Sequence, residues 1–100
     1  MEEAIKIIIE MLCQHGQQST QPFEAAISFL QINNIIKNQK SIMEESTKEL
    51  IKTLCRTGHQ HVREGRPVLA DKCFVIIHNI CVGSMPLDEQ LQEVGIQKNN

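Results

Sequence analysis

The feature that most constrains this chain is a seven-residue pattern that occurs twice. Leu12-Cys13-Gln14-His15-Gly16-Gln17-Gln18 and Leu54-Cys55-Arg56-Thr57-Gly58-His59-Gln60 share Leu-Cys-x-x-Gly-x-Gln at an offset of 54 − 12 = 42. The same offset pairs Lys6 with Lys48, Ile8 with Leu50 and Ile9 with Ile51. Further along, the offset becomes 74 − 29 = 45, pairing Ala25 with Ala70, Phe29 with Phe74, Ile32 with Ile77, Asn34 with Asn79 and Ile35 with Ile80. The second copy therefore carries a three-residue insertion (45 − 42). Amphipathic helices often match at apolar positions by coincidence. Matches at Cys, Gly, Gln and Asn are harder to explain that way, so duplication is the better account. A doubled unit that cannot bury its apolar face alone buries it against its own copy.

Each copy reads as a helical hairpin. Over 2–15, Ala4, Ile5, Ile8, Met11, Leu12 and His15 recur at helical spacing. Ile7 and Ile9 widen that arc, which predicts a helix covered on more than one side. Gly16 reads as its stop. Thr20 or Gln21 can cap a second helix over 22–37, and Pro22 suits its first turn. That helix shows two apolar faces, one with Phe23, Ala26, Ile27 and Leu30, the other with Phe29, Ile32 and Ile36.

Ser41-Ile42-Met43-Glu44 fits a capping box opening a third helix that runs to Glu64. Leu50, Ile51, Leu54, Gly58, His61 and Val62 mark its inner face. Gly58 inside it costs about 1 kcal/mol against Ala and implies a close neighbour. Helix three is expected to outrun helix one by about two turns. Gly65 stops it, Pro67 opens a very apolar helix over 67–82, and Gly83 ends that one. Ser84 can cap a short fifth helix over 85–94.

The expected architecture is thus all-α, with two tandem antiparallel hairpins of four main helices plus a short C-terminal one. It is either α-solenoid-like or a compact helical bundle. One domain spans 1–95, with repeat one at 2–38, repeat two at 41–83, a capping helix at 85–94 and a frayed tail at 96–100.

Composition narrows the function classes. Only Phe23, Phe29 and Phe74 are aromatic, which counts against base-stacking nucleic-acid folds. Net charge is −2, against a domain built on phosphate contacts. No apolar run approaches the length of a membrane span, about 20 residues, and Glu2 and Glu3 replace the basic start of a signal peptide. Cys13, Cys55, Cys73 and Cys81 each lie in an apolar helical run. They read as reduced thiols of an intracellular, cytoplasmic or nuclear protein.

The candidate chemistry is sparse. Cys55 and His59 stand four apart, and Cys73, His78 and Cys81 share helix four. They offer no convergent four-ligand set, so no metal or other cofactor is expected. Thiols on apolar helix faces carry raised pKa values and make poor nucleophiles, so no catalytic residue is assigned and no enzyme is expected. The sharper feature is a basic stripe: Lys48, Lys52, Arg56, His59 and Arg63 step by 4, 4, 3 and 4 along helix three. Such a row can grip an acidic peptide or a carboxylate. It can also be an ordinary solvated face, as Glu44, Glu45 and Glu49 beside it suggest.

Leu54, Gly58, Gly65, Ala70 and Phe74 resemble the large, small, Gly, Ala and aromatic spacing of tetratricopeptide repeats. The resemblance covers about 51–82 and lacks the family's Trp and Tyr; copy one keeps only the Ala and Phe. The 42–45-residue period is longer than that family's 34 and fits armadillo or HEAT-like hairpins equally well. The resemblance implies a scaffold that binds another protein or an acidic segment, with Lys52, His59 and Arg63 turned into a concave groove. A homo-oligomer is a further way to close exposed ends. Nucleic acid or another acidic ligand on the helix-three stripe is the alternative reading.

Overall fold

The computed structural model describes residues 3–39 and 43–97. Among these the chain is all-helical: α1 (Glu3–Gln18), α2 (Pro22–Asn38), α3 (Glu45–Arg63), α4 (Pro67–Cys81) and α5 (Asp88–Glu93). Proline opens α2 and α4 at their first turns, where a missing N–H costs nothing. At α2, Gln21 holds the N-cap position without a side-chain cap. Ser19 braces the turn instead, accepting the Gln21 N–H at 3.1 Å and bonding the Glu24 carboxylate at 2.8 Å.

Two expected boundaries move. The capping box needed Glu44 at the third helical position, but Glu44 is itself the extended N-cap residue of α3. Ser41 lies outside the described residues. Ser84 does not cap α5; Leu87 holds that position, and its N–H donates to Gln90 Oε1 at 2.8 Å. The expected glycine stops at α3 and α4 do hold. Gly65 takes φ 75°, Arg66 N–H reaches the His61 carbonyl at 2.8 Å and Gly65 N–H reaches that of Val62 at 3.2 Å. This is the Schellman closure, which a side chain at Gly65 would strain. Gly83 closes α4 in the same way.

The four long helices form a closed ring in which α1 packs on α2, α2 on α3, α3 on α4 and α4 on α1. An open solenoid would leave the first and last helices apart. Of the two expected arrangements, the structure is therefore the compact bundle. Its two hairpins are related by a local dyad.

The paired glycines and phenylalanines make that dyad. Phe29 of α2 points its ring tip at Gly58 of α3, and Phe74 of α4 points its tip at Gly16 of α1. The two rings stack at a centroid distance of 3.8 Å with an interplanar angle of 7°. Each copy's Phe thus uses the other copy's Gly, and the rings meet between the hairpins.

Gly16 consequently does not stop α1. The helix runs on to Gln18, and Gly16 is buried in mid-contact as Gly58 is. α3 runs five residues past its glycine and α1 two past its own, so α3 is about one turn longer rather than two.

The core comprises Ile9 and Cys13 of α1, Phe29, Ile32 and Ile36 of α2, Ile51, Leu54 and Cys55 of α3, and most of α4. Of the two apolar faces read in α2, the Phe29 face is buried, while Phe23, Ile27 and Leu30 are exposed. α1 departs from expectation, because Ile9, Cys13 and Gly16 form its buried stripe. Ile7, Ile8 and Met11 are exposed at 46%, 47% and 62%, so α1 is not covered on more than one side.

Leu91 and Val94 of the α5 region are buried. Ile96, read from sequence as the start of the tail, packs against the core and donates its N–H to the Leu91 carbonyl.

Candidate functional site

The basic stripe on α3 is divided by its surroundings. Lys48 is largely buried, bonds the Gln39 carbonyl at 3.0 Å and lies 4.0 Å from Glu45. It ties the segment after α2 to α3. Lys52 pairs with Glu49 at 3.0 Å. Arg56 reaches the Thr53 hydroxyl at 3.2 Å. Among the described residues neither Arg56 nor Arg63 forms an ion pair. Arg63 is exposed near the end of α3.

Arg56 and His59 come together with α2 rather than with the rest of the stripe. A groove of about 240 Å³ lies between α2 and α3, lined by Phe29, Leu30, Asn33, Cys55, Arg56 and His59. Its floor is apolar because Phe29 and Cys55 belong to the core. Leu30, half exposed, forms an apolar wall, and Asn33 Oδ1 is buried without a hydrogen-bond partner among the described residues. An apolar floor with a cationic rim and a few directional polar groups can hold a short side-chain-bearing segment. Leu30 and Asn33 were not legible as site residues in the sequence. Their signal was the second apolar face of α2, which had no assigned partner.

The dyad gives this groove a counterpart between α1 and α4, a cleft of about 410 Å³ lined by Ile7, Glu10, Met11, Gln14, Val75 and His78, with Gln17 at its edge. Val75 corresponds to Leu30, His78 to Asn33, Gln14 to Arg56 and Gln17 to His59 at the offsets of 45 and 42. The two clefts share a framework but differ in charge. Glu10, 3.9 Å from His78 Nδ1, stands where the other copy has Lys52.

The four cysteines are free and buried. Burial pushes the thiols of Cys55 and Cys73 up to about 12 and that of Cys81 up to about 11; Cys13 is pushed up as well. They stay protonated near neutral pH, where only the thiolate is a nucleophile or a metal ligand. Among the described residues no group of three or more His, Cys, Asp or Glu converges on a point that could hold a metal ion. Nor is any described helix long and apolar enough to cross a membrane.

His61 lies in the extra turn of α3. It is buried, and its Nε2 lies 2.7 Å from the Val94 carbonyl. Arg66 Nε donates to Nδ1 at 3.0 Å. An arginine only donates, so Nδ1 is unprotonated and Nε2–H must donate to Val94. The inserted turn therefore anchors the α5 region. Arg66 in turn pairs with Glu64.

No protein-family model, curated protein or solved structure matches this chain, so the tetratricopeptide-like spacing remains a likeness of spacing and the functional reading rests on the molecule's own geometry.

Proposed function

We propose that this chain is a non-catalytic protein-interaction module whose α2/α3 groove receives an acidic, partly apolar segment of another protein. The observation that carries this reading is the convergence of Leu30, Asn33, Arg56 and His59 on one groove. Arg56 has no carboxylate partner of its own among the described residues. A guanidinium beside an apolar wall suits a ligand that pairs a carboxylate with an aliphatic side chain. The net charge of −2 weighs against a phosphate-covered partner.

Titration of the isotope-labelled chain with short peptides that place Leu beside Asp or Glu tests the reading by NMR. Shifts should concentrate at Leu30, Asn33, Arg56 and His59, and Arg56→Glu should weaken binding about tenfold or more. Shifts spread evenly over the surface, or affinity indifferent to Arg56→Glu, would refute it. Tighter binding to single-stranded nucleic acid than to any acidic peptide would favour the nucleic-acid alternative instead.

A further inference from the structure

The two clefts related by the dyad lie on opposite sides of the ring, because α1/α4 and α2/α3 are its non-adjacent contacts. Both present an apolar residue at the same position of the outer helix, Val75 in one and Leu30 in the other, exposed at 42% and 51%. The α1/α4 side adds Ile7 and Met11. These side chains line one cleft rather than standing singly, which marks an interaction surface.

We infer that the α1/α4 cleft docks onto the α2/α3 groove of a second copy of this chain, so that copies associate head to tail. This rests on the reading of the α2/α3 groove as a docking site and names its occupant. Charge complementarity selects the pairing. Joining two α1/α4 faces brings Glu10 towards Glu10, and joining two α2/α3 faces brings Arg56 towards Arg56. Only the unlike pairing sets the Glu10 carboxylate against Arg56 and Lys52. Juxtaposed like charges suppress a wrong pairing, whereas opposite charges steer the right one. A contact between different patches does not close on itself as a dimer does. It continues into a row, or into a ring if the rotation permits.

The test is sedimentation velocity over a concentration series up to about 1 mM, at low salt and again at high salt, where screening shortens to about 3 Å. Species larger than dimers should grow with concentration and recede at high salt. Glu10→Lys, Arg56→Glu and Met11→Lys should each raise the apparent Kd about tenfold. Met11 is 62% exposed, so its replacement leaves the fold intact, which circular dichroism verifies. Each single-charge variant keeps one competent face. A mixture of Glu10→Lys with Arg56→Glu should therefore form a 1:1 dimer and stop. A chain that stays monomeric at the highest concentration would overturn the inference, and so would a closed dimer indifferent to these variants. If such a monomer still binds acidic peptides through Arg56, the groove reading stands and only its occupant is wrong. If Arg56→Glu also leaves peptide binding unchanged, both fall.

Discussion

Replacing Gly58 with alanine tests the packing on which the fold turns. A methyl there would lie 2.2 Å from Phe29 Cζ and 2.4 Å from its Cε1. Carbon atoms rest at about 3.5–4.0 Å, so the ring tip must retreat by about 1.3 Å. It has little room to do so. Phe29 is fully buried and stacked at 3.8 Å on Phe74, whose own tip faces Gly16. Helix propensity favours the alanine by about 1 kcal/mol. Overpacking a rigid core costs about 1–3 kcal/mol, and the confined ring places this site at the upper end. The net expectation is a loss of about 2 kcal/mol, or roughly 8–16 °C in Tm for a domain of this size.

Urea and thermal melts followed by far-UV circular dichroism measure the loss, since the chain has no Trp for fluorescence. Gly58→Ala combined with Phe29→Leu should cost little more than Phe29→Leu alone, a coupling of about 1 kcal/mol or more. Gly16→Ala should behave alike and couple to Phe74→Leu. A neutral or stabilised Gly58→Ala would refute the ring-to-glycine contact. A harmless Gly16→Ala would return Gly16 to the role of an ordinary helix end.

The buried thiols make stability fall at alkaline pH. Their folded-state pKa values are raised above 9.0, so their contribution is complete below pH 9 and is lost as pH climbs towards 11–12. Over that window the unfolded chain has released four protons that the folded chain retains, a slope of up to about −5.4 kcal/mol per pH unit. Base-induced unfolding should centre near pH 10–11 if total stability is of the usual 5–15 kcal/mol, and thiol titration should stay slow until then. Fast labelling of all four thiols at neutral pH would contradict this. His61→Ala leaves the Val94 carbonyl without its partner and should cost about 2 kcal/mol, with hydrogen-exchange protection lost first over 88–96. Unchanged protection there would show that the histidine does not hold α5. Gly65→Ala must adopt φ 75° and should cost about 1–2 kcal/mol in a thermal melt, whereas nothing near its added methyl would clash.

The sequence by itself determined the helices, the doubling and several of the breaks. Helical spacing, the prolines at 22 and 67 and the glycines at 65 and 83 act locally, so they can be read from neighbours in the chain. The inserted three residues were visible as a change of offset, and His61 was correctly placed on the inner face of α3. What they support was not legible, because Val94 lies 33 residues away. The stripe on α3 was legible as spacing, but its division among Lys48, Lys52 and the groove pair Arg56 and His59 depends on which groups other segments bring near.

Only the tertiary structure decided how the two hairpins meet. An apolar arc as wide as that of α1 does not say which part is buried; α4 covered Gly16 and left Ile7 and Met11 outside. A glycine in a helical segment can end it or admit a neighbour, and local sequence does not distinguish the two. The distinction came from the ring opposite. The recurring Leu-Cys-x-x-Gly-x-Gln pattern marks the two places where each copy receives the other's phenylalanine, and these reciprocal contacts close the bundle instead of opening a solenoid.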